Sequence, residues 1–340
     1  MQYQPFVSII IPAYNAEKYI GLVLEAISNQ DYPKEKIEVI LVDDNSTDKT
    51  IEIVNSYEKR FHPSNFRLLI KEGIKGAASS TNIGIKQAKG EIVCSIDSDA
   101  ILRNNKWITE IVSRFQDENV AAVAGCILAG NTYNIWARLM GAELEDRYDS
   151  ILTENVDHVS TCNTAYRKSS VEKVNLFDEN LYYGYDVDIS YKLKNAGYAI
   201  KLIKTVGCNH YWKETLSGYL KQQFNVAYGR LYLINKYPQK ASGDKVAGMF
   251  QFVQVPMIFL IGLFLFLSIF SLPSLYISAL FLVLLVIMQL PQTFRILKKK
   301  KNLSYLLLPF LNILRNITWC IAFLSYYFDK MRGKTKIKIV

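Results

Sequence analysis

Asp97 and Asp99 stand two residues apart at the end of a strand-like run over residues 91–96. That spacing delivers two carboxylates onto the loop where the strand stops. Hard oxygen ligands of this kind suit Mg²⁺ or Mn²⁺, and such ions hold diphosphates. Two Asp residues after a strand also form turns and cap helices, so the pair alone leaves both readings open.

Further polar clusters follow other apolar runs. Pro12, Ala13, Tyr14 and Asn15 close the run over 7–11, and Asp43 with Asp44 closes the run over 37–42. Short apolar runs alternate with amphipathic helical patterns from Phe6 to about Lys204. Strand alternating with helix implies an α/β fold with a mostly parallel sheet. Ligands of such sheets bind beyond the carboxyl ends of the strands, where all three clusters fall. Gly73 to Ala78 then precedes a helical pattern, and small residues there permit close backbone approach to a ligand.

The composition, 340 residues with 50% hydrophobic, supplies a large domain and something more. A formal charge of +9 admits nucleic acid, anionic lipid or phosphorylated ligands, and its distribution decides. The excess lies near the C-terminus: Arg295 and Lys298 to Lys301, then Lys330, Arg332, Lys334, Lys336 and Lys338, flank very apolar segments. This is a membrane pattern and not a nucleic-acid pattern. Spans are expected at about 253–272 and 275–290, as a tight hairpin. A third apolar segment, 303–328, contains Arg315, Asn312 and Asn316, which are costly against lipid. It either spans or lies at the interface, and an interfacial or re-entrant helix pair keeps both basic runs cytoplasmic. Five scattered cysteines and an N-terminus without a basic-then-apolar leader predict that the domain over 1–236 is cytoplasmic. The membrane region and basic tail take 237–340, giving a multi-pass protein of the cell membrane.

Taken in order, residues 7–15, 42–48, 97–99 and 183–193 resemble the inverting family 2 glycosyltransferases of GT-A fold. The resemblance covers roughly residues 5–235. It implies a Rossmann-like catalytic domain that takes a nucleotide-sugar donor with a divalent metal, Mg²⁺ or Mn²⁺. On that resemblance Pro12, Tyr14, Asn15, Asp44 and Gly76 would form the nucleotide pocket, with Asp44 accepting from the base. Asp99 would bind the metal, Asp97 would touch ribose or metal, and His210 would add a metal or diphosphate contact. Gln223 and Arg230 would reach the diphosphate or the acceptor. The usual Arg before Asn82 is replaced by Thr81, and the usual Glu before Asp186 by Tyr185.

Asp186 separates reaction types, because a sugar hydroxyl must lose its proton as it attacks whereas a phosphate acceptor is already ionised. As the catalytic base it implies a hydroxyl acceptor; the stretch over 222–230 lacks the Arg-Trp ending of the processive synthases, which implies transfer of one sugar, and the membrane segments imply that the hydroxyl belongs to a lipid-linked saccharide or glycolipid. Asp188 is expected to be structural. The alternatives are a polyprenyl-phosphate glycosyltransferase and a non-catalytic membrane scaffold.

Overall fold

The computed structural model describes residues 3–62, 64–73, 76–240 and 249–333. Its first compact unit comprises the chain up to Gly130 together with Ile151–Tyr211. The strands of this unit are β1 (Val7–Ala13), β2 (Ile37–Asp43), β3 (Phe66–Ile70), β4 (Ile92–Ile96), β5 (Ala100–Leu102), β6 (Val120–Ala129), β7 (Asn163–Arg167) and β8 (Ala199–His210). They form one sheet in the order β3-β2-β1-β4-β7-β6-β8-β5. Pairing is parallel from β3 through β4 and between β6 and β8; β7 and β5 run against their neighbours. The sheet is therefore mixed and mostly parallel, as expected.

Continuous apolar runs explain the central strands. Every residue of β2 is buried, as strands covered on both faces require. Between strands lie helices α1 (Ile20–Ser28), α2 (Thr50–Tyr57), α3 (Ala77–Gln87) and α4 (Trp107–Ser113). Close packing of α3 on β1 depends on Gly84, where an added Cβ would fall 2.4 Å from Ile10 Cγ2. The chain winds outward through β1, β2 and β3 and then returns to place β4 on the other side of β1. The strand order reverses at β1 and β4, the place where open α/β sheets bind ligands, and the residues after β1, β2 and β4 stand at that edge.

The second unit comprises Asn131–Ser150 and the chain from Trp212 onward. Its helices are α5 (Ile135–Ser150), α8 (Leu216–Lys236), α9 (Met249–Leu267), α10 (Leu272–Lys300) and α11 (Leu308–Met331), while α6 (Lys168–Lys173) and α7 (Tyr185–Asn195) belong to the first unit. Two apolar stretches are long enough to cross a membrane among the described residues, Leu272–Lys300 and Leu303–Met331. Val253–Leu267 is shorter. The span expected over 275–290 lies within the 29-residue α10, and 303–328, expected to span or to form an interfacial helix pair, is a 3-10 turn leading into one continuous helix and not a helix pair.

Arg315 is tolerated in that apolar helix because it is buried against Glu143 of α5 at 3.0 Å. The same face of the unit pairs Arg295 with Asp146 through two bonds of 2.7 and 2.8 Å, Lys299 with Asp149, and Lys300 with Glu145. Part of the basic run at the C-terminal end of α10 is thus engaged by acids of α5. Lys334, Lys336 and Lys338 lie outside the described residues.

Candidate active site

Backbone pairing assembles the acidic centre. The strand β4 ends at Ile96, and Asp97 N–H donates to Cys162 C=O at 3.1 Å while Ala100 N–H turns back to Asp97 C=O at 3.0 Å. The turn hands the chain to β5, which pairs antiparallel with β8 and sets Ala100 opposite His210. His210 Nε2 consequently lies 3.4 Å from Asp99 Oδ1. One donor atom each of Asp97, Asp99 and His210 lies within 4.8 Å of the others.

Electrostatics of this centre are unfavourable without a cation. Burial, then the carboxylates of Asp99 and Asp186, push the Asp97 carboxyl up to about 8. Two carboxylates and an imidazole fit a Mg²⁺ or Mn²⁺ ion, and a divalent charge would offset both the burial and the carboxylate repulsion that together raise the Asp97 carboxyl.

Asp186 enters from α7. Gly184, at φ +83°, turns the chain into the helix, and Asp186 Oδ1 accepts from Val187 N–H at 2.9 Å. Its charge reaches Asp97. Asp188, one turn from the helix start, is fully buried and paired with Lys192 at 3.2 Å.

The second polar centre is built around Asp44, only 7% exposed. Gly76 N–H donates to Asp44 Oδ2 at 2.8 Å, and Lys71 Nζ sits 3.0 Å from Oδ1. Lys71 also donates to Ser80 Oγ at 3.0 Å and Gly76 C=O at 3.2 Å. Asn15, at φ +48°, donates its N–H to Ser46 Oγ at 2.9 Å and accepts from Thr47 N–H at 2.8 Å, tying the ends of β1 and β2 together. Pro12 stands opposite Val42 within that edge, and Tyr14 is 54% exposed beside it. Asp43 is fully buried and accepts from Ser46 N–H and Oγ, the turn-forming role its type permits.

Residues 8–174 match Glycosyl transferase family 2, and residues 92–294 match Glycosyl transferase family group 2. The chain belongs to the family 2 glycosyltransferases. Glycosyltransferase AglE of Haloferax volcanii is 32% identical over 67% of this chain and 73% of its own length. A Methanococcus voltae relative is 24% identical over 98% of this chain and 99% of its own; its name is dolichyl N-acetyl-alpha-D-glucosaminyl phosphate 3-beta-D-2,3-diacetamido-2,3-dideoxy-beta-D-glucuronosyltransferase. Among solved structures, the mannosyltransferase PcManGT of Pyrobaculum calidifontis, in complex with GDP-Man and Mn²⁺, has a TM-score of 0.64 at 21% identity, covering 96% of this chain and 88% of its own. That likeness shows the GT-A fold.

Two residues of this family 2 glycosyltransferase carry contacts that sequence reasoning left without a role. Lys71 was legible only as the last residue of an apolar run, although a lysine at a ligand-side strand end was a signal. Asn82 donates to Phe177 C=O at 2.9 Å and Glu179 Oε1 at 2.8 Å, and accepts from Phe177 N–H at 3.0 Å. It clamps the loop that precedes Asp186 onto α3. Gln223 and Arg230 both lie on α8 in the helical unit, where Gln223 Oε1 accepts from Trp319 Nε1 at 3.1 Å.

Proposed function

We propose that this glycosyltransferase moves a single sugar, with inversion, from a nucleotide-sugar to a hydroxyl of a lipid-linked saccharide at a membrane surface. The observation that carries the reading is the convergence of the start of α7 with the Asp97 turn: Tyr185 accepts from Thr161 Oγ1 at 3.4 Å, next to Cys162, whose C=O holds Asp97 N–H at 3.1 Å, and the Asp186 carboxylate adds to the burial and the Asp99 charge that raise the Asp97 carboxyl. A base beside a diphosphate-binding centre suits an acceptor that must lose a proton. The name of the Methanococcus voltae relative, whose acceptor is a dolichyl phosphate already bearing a sugar, supports the same acceptor class.

In this reading the acceptor hydroxyl oxygen bonds to the anomeric carbon while the bond from that carbon to the nucleotide diphosphate breaks. Asp186 takes the hydroxyl proton and releases it to solvent after the product leaves. Asp97, Asp99 and His210 would hold a divalent ion, which when bound offsets the charge gathering on the leaving diphosphate. Asp44 would accept from the base of the nucleotide, and Gly76 lets the backbone come close. Tyr14 and Pro12 would wall the pocket. The apolar lengths of α10 and α11 support membrane attachment.

The deciding assay supplies full-length protein with Mn²⁺ and a panel of nucleotide-sugars. Acceptors are polyprenyl phosphate in one arm and a polyprenyl-linked saccharide in the other. Transfer to the saccharide that Asp186→Asn abolishes is expected. Transfer to polyprenyl phosphate alone, unaffected by that substitution, overturns the proposal.

A further inference from the structure

Tyr182 lies against Gly76 although the two belong to different motifs. A methyl group placed on Gly76 would be 3.5 and 3.7 Å from Cδ2 and Cε2 of the Tyr182 ring. Gly76 in turn gives its N–H to Asp44, so the ring stands over one end of the Asp44–Gly76–Lys71 centre. The φ of +124° at Gly76 is what aims its N–H at Asp44 while its Cα faces the ring, and side-chain-bearing residues rarely adopt it.

This placement is fixed from both ends of the loop. Asn82 holds Phe177 by both its N–H and its C=O. Phe177 is also wedged edge-on between Tyr166 and Tyr185, at centroid distances of 5.7 and 6.1 Å. Leu181 N–H donates to Asp178 C=O at 3.1 Å, and Leu181 itself is buried. Tyr182 then emerges 38% exposed, its ring braced by Tyr183 at 5.3 Å and 65°. A large aromatic held by neighbours and left partly open beside a charged pair offers a flat apolar face next to polar groups. Nucleobases have that same combination, a π-face and a polar edge.

We propose that Tyr182 is a nucleoside-binding residue, stacking on the base whose edge meets Asp44. The assignment rests on the reading of the chain as nucleotide-sugar-dependent. It makes the loop before Asp186 part of the donor pocket, so that Asn82 couples donor binding to the position of the base residue.

The test is calorimetric titration of full-length protein in detergent with UDP and with GDP, in the presence of Mn²⁺, and with Mn²⁺-pyrophosphate as a control without a base. Tyr182→Ala is expected to weaken the nucleoside diphosphate that binds by about tenfold or more, with pyrophosphate affinity retained. Tyr182→Phe keeps the ring and is expected to stay within about twofold. Unchanged nucleotide affinity in Tyr182→Ala overturns the assignment, and so does an equal loss for pyrophosphate, which would mean a damaged loop. A raised KM for the acceptor with unchanged nucleotide affinity overturns it in favour of an acceptor contact. Failure of wild-type protein to bind either nucleotide overturns the donor reading itself, a result distinct from all of these.

Discussion

His210 and Asp99 meet at 3.4 Å because β8 pairs antiparallel with the three-residue strand β5. A short edge strand thus brings an imidazole to a carboxylate pair from a remote part of the chain. If these three residues bind the ion, Asp99→Ala abolishes Mn²⁺ binding and His210→Ala weakens it by about 10–100-fold, measured by calorimetry on the full chain. Undiminished binding in both variants would remove the metal assignment.

The Asp97 carboxyl gives the centre a pH dependence whose sign is fixed. Its pKa in the fold is about 8, above the ordinary value of 3.8. A carboxyl raised in this way costs the metal-free fold stability as pH climbs from its unfolded value through the folded one, because ionisation is penalised only in the fold. A bound cation requires the ionised form, so binding must expel the proton. Mn²⁺ affinity is expected to rise steadily between pH 6 and pH 7.5. The thermal shift on adding Mn²⁺ should grow over the same range, and the calorimetric enthalpy should depend on the buffer as released protons are taken up. An affinity flat across that window would contradict the placement of Asp97 in the metal centre.

Asp186 and Asp188 share a helix turn but differ in surroundings, which predicts different failures. Asp186→Asn should lower kcat by about 10²–10⁴ while leaving nucleotide and Mn²⁺ affinity near wild type. Asp188→Asn removes the charge of a fully buried carboxylate paired with the partly exposed Lys192 and should instead lower thermal stability, by about 1–3 kcal/mol, with kcat largely kept in the folded fraction. Reversal of the two phenotypes would reverse the roles.

The catalytic framework was legible because its signals are local. Buried parallel strands such as β2 read as unbroken apolar runs, and their ends are marked by the polar residues of the candidate site. The Asp97 and Asp99 spacing was visible for the same reason. What the sequence hid are pairings at long range. Nothing near Asp44 announces that Lys71 and Gly76 already engage both of its oxygens, and nothing near Asn82 announces the loop at Phe177. The full length of α10 was hidden for another physical reason. An apolar run stops at Leu290, but α10 continues to Lys300 because Gln289, Thr293 and Ile296 bury one face and Arg295, Lys299 and Lys300 find acids on α5. A helix ends where packing and capping end, not where hydropathy does.

The pair formed by Glu143 and Arg315 supplies a prediction specific to the helical unit. Both side chains are about nine-tenths buried, at 10% and 9% exposure, so each charge depends on the other for compensation. Removing one partner leaves a buried, uncompensated ion, a loss of about 3–5 kcal/mol, whereas replacing both by apolar residues of similar volume is close to neutral. Glu143→Ala or Arg315→Ala should therefore lower the thermal midpoint of the detergent-solubilised full chain sharply. Glu143→Leu combined with Arg315→Met should recover most of the loss. The exposed pair of Lys299 and Asp149, at 53% and 52%, serves as the internal control: its removal should change stability by less than about 1 kcal/mol. A double variant no more stable than either single one would mean that Arg315 is held by partners other than Glu143.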